Sequence, residues 1–343
     1  MSARGLLIAA VGALTLGGLV LQARLAEATP GLALWAPLLL GFVAALGAAC
    51  AGRHVERLLR GAGPWFFWGV ACTLLALLLV LGRRYRGGLY LPGRINPSEL
   101  VKLCVVFSLA GLLPRSRGTA FALLGSVCAL VAAAGDFGLL AQLVLTATAM
   151  LLAASWVWGL LACAAVGAGF AAAAACPFGH LATRFAVWRD PLADTTGAGW
   201  QTLQGLAAVA SGGVGGVGFG FGDAQAVPIA SSDFVYAVLA EDLGLVGGAG
   251  ALALWGVVFA CGLVAAKRRA TEGARGEALL AIGIVASLAV QVTLNVAGVL
   301  NALPMTGITL PLLSHGGSSL AVTLALCGLL CGELAPRATS AQG

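Results

Sequence analysis

Ser231-Ser232-Asp233-Phe234-Val235-Tyr236-Ala237-Val238-Leu239-Ala240-Glu241-Asp242-Leu243-Gly244 places three carboxylates at the mouth of an apolar segment that runs on to Ala266. A carboxylate in or beside a membrane span is costly unless it meets protein, water or a cation, so a functional role is the default reading for it. Helical spacing would line Asp233, Ala237 and Ala240-Glu241 along one side. Asp233 would then stand at the aqueous end and Glu241 about two turns deeper.

The rest of the chain fits a membrane setting. Of 343 residues, 60% are hydrophobic and 9% charged, and the mean hydropathy is +1.00. A soluble domain carries roughly 25% charged residues. The apolar runs are long and lack the alternation of a barrel strand, which leaves helices that satisfy their own backbone groups in lipid. Fifty glycines, many beside alanine, fit helices packed closely through small residues. Spans of adequate length fall at 5–21, 32–50, 64–82, 98–113, 119–135, 137–155, 157–176, 233–266, 278–300 and 317–334. The expected fold is all-α: a polytopic transmembrane helical bundle of about ten spans. It forms one membrane domain over 1–343, with a large outer loop, 177–232, between spans seven and eight. An even count puts both termini on one side, and eleven Lys or Arg there against eight opposite favour cytoplasmic termini.

The net charge of +6 follows from topology-setting Lys and Arg and from contact with membrane lipids, with no nucleic-acid role. Eight of the nine cysteines fall in apolar runs without paired spacing and read as small buried apolar residues; Cys176, at a span end, has no obvious partner. Gly5–Leu21 reads as an uncleaved first helix rather than a signal peptide, given the many spans that follow.

Arg83, Arg84, Arg86, Arg94 and Lys102 gather on the side that the positive-inside rule leaves poor in cations. Such a cluster suggests an anionic ligand; headgroup contact or a local inversion of topology is the plainer alternative. In Asn96-Pro97-Ser98-Glu99-Leu100-Val101-Lys102, Pro97 suits a helix start and Glu99 falls in the first turn. Glu99 and Lys102 are i,i+3 neighbours that either neutralise each other or offer Lys102 to a phosphate. Asp136, in Gly135-Asp136-Phe137-Gly138, reads by itself as a turn former.

The 177–232 connection exceeds the length of a passive joint. It carries Arg184, Trp188-Arg189-Asp190-Pro191, Gly199-Trp200-Gln201 and a glycine run over 211–222. That run lacks a Walker lysine and reads as a mobile or re-entrant segment covered by protein or water. Gln201 and Gln204 share a helical side and contact either a polar ligand or each other. Between Asn295 and Ser319 the chain breaks its helix with two prolines at membrane depth, a mark of a binding site. Ser314-His315-Gly316-Gly317-Ser318-Ser319 opens the last span and can present backbone N–H groups to an anion. His315 has no metal-ligand spacing and reads as a hydrogen-bonding or interfacial residue.

Asn96-Pro97-Ser98-Glu99 with Lys102, Asp136-Phe137-Gly138, Gly199-Trp200-Gln201 with Ser211-Gly212-Gly213, Ser232-Asp233-Phe234 with Glu241-Asp242-Leu243-Gly244, and Leu303-Pro304-Met305-Thr306-Gly307 through Ser319 stand in this order. The set resembles the SEDS family, the shape, elongation, division and sporulation proteins FtsW, RodA and SpoVE, from about residue 90 onwards. The resemblance implies a ten-helix peptidoglycan glycosyltransferase that polymerises lipid II on the outer face of the bacterial cytoplasmic membrane. It implies release of undecaprenyl diphosphate, a class B penicillin-binding protein as partner, and, on general loop resemblance, the division member before the elongation one. Asp233 aligns with the acid proposed as essential in the family. Ser232, Asn96, Gly135, Asp242, Trp200 and His315 depart from the usual family residues, whereas Asp233, Glu99, Lys102, Asp136 and Glu241 match them. Asp233 is thus expected as the base that deprotonates an acceptor hydroxyl, or as the ligand of a divalent cation, Mg or Mn. Lys102 and Arg94 are expected to contact the diphosphate, Glu99 to orient Lys102, and Asp136 and Glu241 to shape the cavity. Gln201, Ser314, Ser318 and Ser319 complete the expected substrate contacts. A lipid II flippase and a non-catalytic scaffold recruiting a penicillin-binding protein are the alternatives.

Overall fold

The computed structural model describes residues 2–25, 32–51, 54–85, 88–92, 96–175 and 179–335. In chain order these form α1 (Ala3–Leu25), α2 (Leu32–Ala51), α3 (Val55–Leu59), α4 (Gly63–Leu81), a hairpin of β1 (Arg83–Tyr85) and β2 (Gly88–Tyr90), α5 (Ser98–Leu112), α6 (Arg117–Ala134) and α7 (Phe137–Ala154). There follow α8 (Trp156–Ala175), α9 (Gly179–Arg189), α10 (Trp200–Gly212), α11 (Val235–Thr271), α12 (Arg275–Val299) and α13 (Gly317–Glu333). Each of the ten expected spans is a helix. Among the described residues, α1, α4, α6, α7, α8, α11 and α12 are long and apolar enough by themselves to cross a bilayer, while α5 and α13, at 15 and 17 residues, are shorter. The chain is a multi-pass helical membrane protein.

α12 occupies the centre, packed against α5, α7, α11 and α13, with Leu280, Ile284 and Leu288 essentially inaccessible. α2 lies along α13 at very short range: a methyl on Gly328 would overlap the Ala45 carbonyl, as the small-residue packing of membrane helices requires. Away from the long loop, Arg269 of α11 pairs with Glu277 at 3.3 Å, with Glu272 at 2.8 Å and with Glu333, tying α11, α12 and α13 together. Cys104, Cys261, Cys327 and Cys331 are buried as expected. Cys50 and Cys163 are exposed on the flank of the bundle, where a small apolar thiol is as well accommodated by lipid as by a core. Cys176 and Arg94 lie outside the described residues.

At α11 two sequence expectations change in the structure. Asp233 is not in the helix: it occupies the turn before α11, whose N-cap position is Phe234. And α11 is broken at Gly244, with φ 65° and ψ −165°, a conformation that side-chain-bearing residues essentially do not adopt. A Cβ on Gly248 would come within 2.8 Å of the Tyr236 hydroxyl, whereas twelve residues of straight helix would rise roughly 18 Å; the axis therefore bends sharply.

The break exposes backbone groups that lipid cannot satisfy. The glycine run meets that need. Val217 and Gly218 N–H donate to the carbonyls of Glu241 and Asp242 (both 3.0 Å), while Leu245 and Val246 N–H donate to the carbonyls of Gly213 (2.9 Å) and Val214 (3.2 Å). The segment is spliced into the helix on both sides of the break, so its glycines serve close backbone approach. Gly244→Ala would force a Cβ into the Gly216 amide and the Val214 carbonyl as well as straining φ. We expect a loss of at least ~2 kcal/mol, read as a lowered thermal midpoint of the purified protein in detergent.

Candidate active site

Asp233, Asp136 and Arg184 meet at the face of the bundle that carries the long loop. Each arrives from an irregular stretch fixed by neighbours. Asp136 caps α7: its Oδ1 accepts from Leu139 N–H at 2.9 Å, and its Oδ2 accepts from the Ser98 hydroxyl at 3.2 Å. The expectation of a turn-forming Asp136 holds, and the turn delivers the carboxylate to the start of α5. Arg184 projects from α9, which is anchored by edge-to-face contacts of Phe185 with Phe170 of α8 and with Trp188. Its Nη1 donates to the Met305 carbonyl at 2.8 Å. Although the residue is exposed by surface area, the surrounding protein desolvates its guanidinium and lowers the pKa, and the charges of Asp136 and Asp233 oppose that shift.

The backbone beneath Asp233 is held by buried side-chain amides. Asn295 of α12, 1% exposed, donates through Nδ2 to the carbonyls of Asp233 (2.9 Å) and Ile308 (2.7 Å). Gln22 of α1 donates to the carbonyls of Ser231 (2.9 Å) and Leu313 (2.7 Å). The Ser314 hydroxyl donates to the Ser232 carbonyl at 2.6 Å, and His315 N–H donates to the Ser231 carbonyl, also at 2.6 Å. The 231–233 turn and the broken stretch 303–316 are thereby clamped together. A narrow cleft beside this clamp is lined by Thr15, Gln22, Ser314, His315 and Gly317.

Lys102 is placed differently from a surface phosphate ligand. It is 4% exposed, with Nζ 2.7 Å from Glu99 Oε2 and 3.0 Å from Gln291 Oε1. Gln291 also accepts from Gln142 Nε2 at 3.2 Å and donates to the Thr309 carbonyl at 3.1 Å. Glu99 and Lys102 therefore belong to a buried polar chain that runs under the site from α5 to the 303–316 stretch. Glu241 is buried on α11; its Oε1 accepts from Asp223 N–H at 3.1 Å and from the Ser211 hydroxyl at 3.4 Å, so it holds the glycine segment. Its neighbour Asp242, fully buried, pairs with Arg24 of α1, which also donates to the Gly222 carbonyl at 2.8 Å and lies 5.9 Å from the Phe219 ring centroid. Gln201 and Ser318 are exposed, and Ser319 meets the Thr309 hydroxyl at 3.3 Å.

The sequence reading singled out Asp233, Asp136, Glu99 and Lys102 but gave no role to Arg184, Gln22, Gln142, Gln291 or Asn295. The amides had a visible signal, being polar groups within or at the ends of apolar spans. Arg184 had one too, as a cation on the side expected to be poor in them.

Comparison with known proteins is consistent across sequence and structure. The FtsW/RodA/SpoVE family, described as cell cycle proteins, matches residues 35–334. Peptidoglycan glycosyltransferase RodA of Mycobacterium bovis is 42% identical over 153 residues, covering 45% of this chain and 32% of that protein, so the chain spans about a third of the length of that relative. A probable peptidoglycan glycosyltransferase FtsW of Nitrosococcus halophilus is 35% identical over 311 residues, covering 85% and 79%. Among solved structures, one from a study of polymerization and crosslinking by a peptidoglycan synthase complex superposes with a TM-score of 0.75 at 28% identity, covering 95% of both chains. The Thermus thermophilus rod shape determining protein RodA gives 0.67 at 26%, covering 95% and 94%.

The buried pair makes a stability prediction. Lys102→Met strands the Glu99 carboxylate, 15% exposed, and should cost roughly 2–3 kcal/mol. Adding Glu99→Gln should recover most of that loss in a double-mutant cycle of thermal unfolding.

Proposed function

Because the chain belongs to the FtsW/RodA/SpoVE family of cell cycle proteins, we propose that it is a peptidoglycan glycosyltransferase that polymerises lipid II, with both termini in the cytoplasm and the long loop outside. The observation that carries this reading is the placement of Asp233. Its carboxylate lies at the loop face beside Arg184 and Asp136, on backbone that Asn295 fixes from the centre of the bundle. Glycan growth needs a base at the acceptor hydroxyl and positive charge for the departing diphosphate. In the proposed step Asp233 takes the proton of the acceptor C4 hydroxyl as that oxygen bonds to C1 of the donor sugar. The C1–O bond to phosphate breaks, and undecaprenyl diphosphate leaves with the bonding electrons.

Among the described residues no three Asp, Glu, His or Cys side chains converge into a metal cage. One carboxylate with phosphate oxygens is nevertheless a donor set that Mg or Mn accepts, and Asp233 is the residue that would hold such an ion. Bound there, the ion would add positive charge against the diphosphate. The Glu99–Lys102–Gln291–Gln142 chain supports the site from below instead of touching phosphate. A class B penicillin-binding protein is the proposed partner.

Asp233→Asn should abolish glycan strands in a gel assay of purified protein, lipid II and partner, while the variant accumulates normally in membranes. Undiminished strands from that variant would remove the base assignment; lipid II translocation without strand growth by the unaltered protein would favour a flippase. Asn295→Leu leaves the Asp233 and Ile308 carbonyls without their donor. It should lower kcat at least ~10-fold with a smaller change in KM, in line with displacement of a catalytic group by a fraction of an ångström.

A further inference from the structure

We propose that Arg184 binds the diphosphate of the lipid-linked donor and is the cation against which that group departs, an assignment that rests on the glycosyltransferase reading of the same site. The sequence points to Lys102 and Arg94 for this task; Arg94 lies outside the described residues, and Lys102 is enclosed by Glu99 and Gln291, so that a phosphate could reach it only by displacing one of them from the interior. Arg184 is exposed and held in place from two directions. The Phe185 and Trp188 rings fix α9 against α8 and against itself, and Asn301 Nδ2 donates to the Trp188 carbonyl at 3.2 Å. One guanidinium nitrogen is spent on Met305, which orients the fork; the second faces Gly307.

Gly307 is the hinge of the geometry. With φ +75° it occupies the left-handed region, which favours glycine. A Cβ built there would lie 3.7 Å from Asp233 Oδ2 and 3.8 Å from Arg184 Nη2. Acid and cation thus face the same glycine, with bare backbone and no side chain of residue 307 beside them.

The charges then follow the reaction. Asp136 is committed to the α7 N-terminus, whose dipole offsets it, and to the Ser98 hydroxyl. Before reaction the Arg184 charge is balanced by Asp136 and Asp233 together. As the acceptor proton moves to Asp233, that carboxylate loses its charge; in the same step the C1–O bond breaks and negative charge grows on the diphosphate. Arg184 exchanges one anion for the other without moving, so its attraction to the diphosphate is strongest as the bond breaks, the condition for raising kcat rather than merely lowering KM. The planar fork suits the recognition of phosphate oxygens.

The test uses the full-length protein and inorganic pyrophosphate as probe. Pyrophosphate should inhibit lipid II polymerisation by the unaltered protein. Arg184→Gln should lower kcat at least ~100-fold at saturating lipid II, with a smaller effect on KM, and should weaken pyrophosphate inhibition about tenfold; R184K should fall between. Binding is measured separately by calorimetry in Asp233→Asn protein, where no turnover occurs. That variant should bind pyrophosphate at least as tightly as the unaltered protein, and adding Arg184→Gln should weaken binding about tenfold. Equal pyrophosphate binding with and without Arg184 would overturn the proposal and leave Arg184 only a tie between α9 and the Met305 carbonyl. Absence of polymer from the unaltered protein would overturn the glycosyltransferase reading instead, while the calorimetric arm still decides whether Arg184 holds a diphosphate.

Discussion

The irregular backbone at 231–233, at 303–316 and at the break in α11 finds its hydrogen-bond partners within the protein, and the architecture around the site follows from that requirement. Three buried amides supply much of the answer. Gln22 from α1, and Gln291 and Asn295 one turn apart on α12, donate to carbonyls of Ser231, Asp233, Ile308, Thr309 and Leu313. A buried carbonyl left without a donor costs on the order of 1–3 kcal/mol, so these few side chains decide where two non-helical segments can lie. The consequence for chemistry is that Asp233 stands on a short turn whose backbone is fixed to the most deeply packed helix of the bundle.

The same requirement explains the broken helix. Gly244 interrupts α11, and the glycine run of the long loop enters the gap from the side, giving two N–H groups and two carbonyls to the exposed ends. Glu241 and Asp242 serve this junction, one through Ser211 and the Asp223 amide, the other through Arg24. Three acids written almost contiguously in sequence therefore divide their work. Asp233 is delivered to the surface site, while Glu241 and Asp242 keep a long loop docked on a bent helix. The loop in turn carries α9 and with it Arg184, so the junction at Gly244 and the placement of the cation are parts of one mechanical arrangement.

Relatedness and physics agree on what kind of molecule this is. Superposition over 95% of the chain on solved peptidoglycan synthesis proteins accompanies an identity of only 28% or less. Such divergence is compatible with one fold because a membrane bundle packs through small residues and generic apolar surface. Ser232 and His315 meet the clamp through backbone atoms, the Ser232 carbonyl and the His315 amide. The Ser232 and His315 side chains take no part in those bonds.

The amino-acid order alone determined the membrane setting and the number and approximate limits of the ten spans, and it singled out Asp233 as a candidate, because hydropathy and the cost of a charge in lipid are local properties of a segment. Order also showed Glu99 beside Lys102, since i,i+3 neighbours meet on any helix. It could not show that Lys102 faces Gln291 across the bundle, that Glu241 turns to the glycine loop instead of lining the cavity beside Asp233, or that Arg184 returns to Gly307 from more than a hundred residues away. Those relations depend on which faces of distant helices meet and on a backbone break whose partners lie elsewhere in the chain. Only packing in three dimensions chooses among the many pairings that a sequence rich in glycine and alanine would permit.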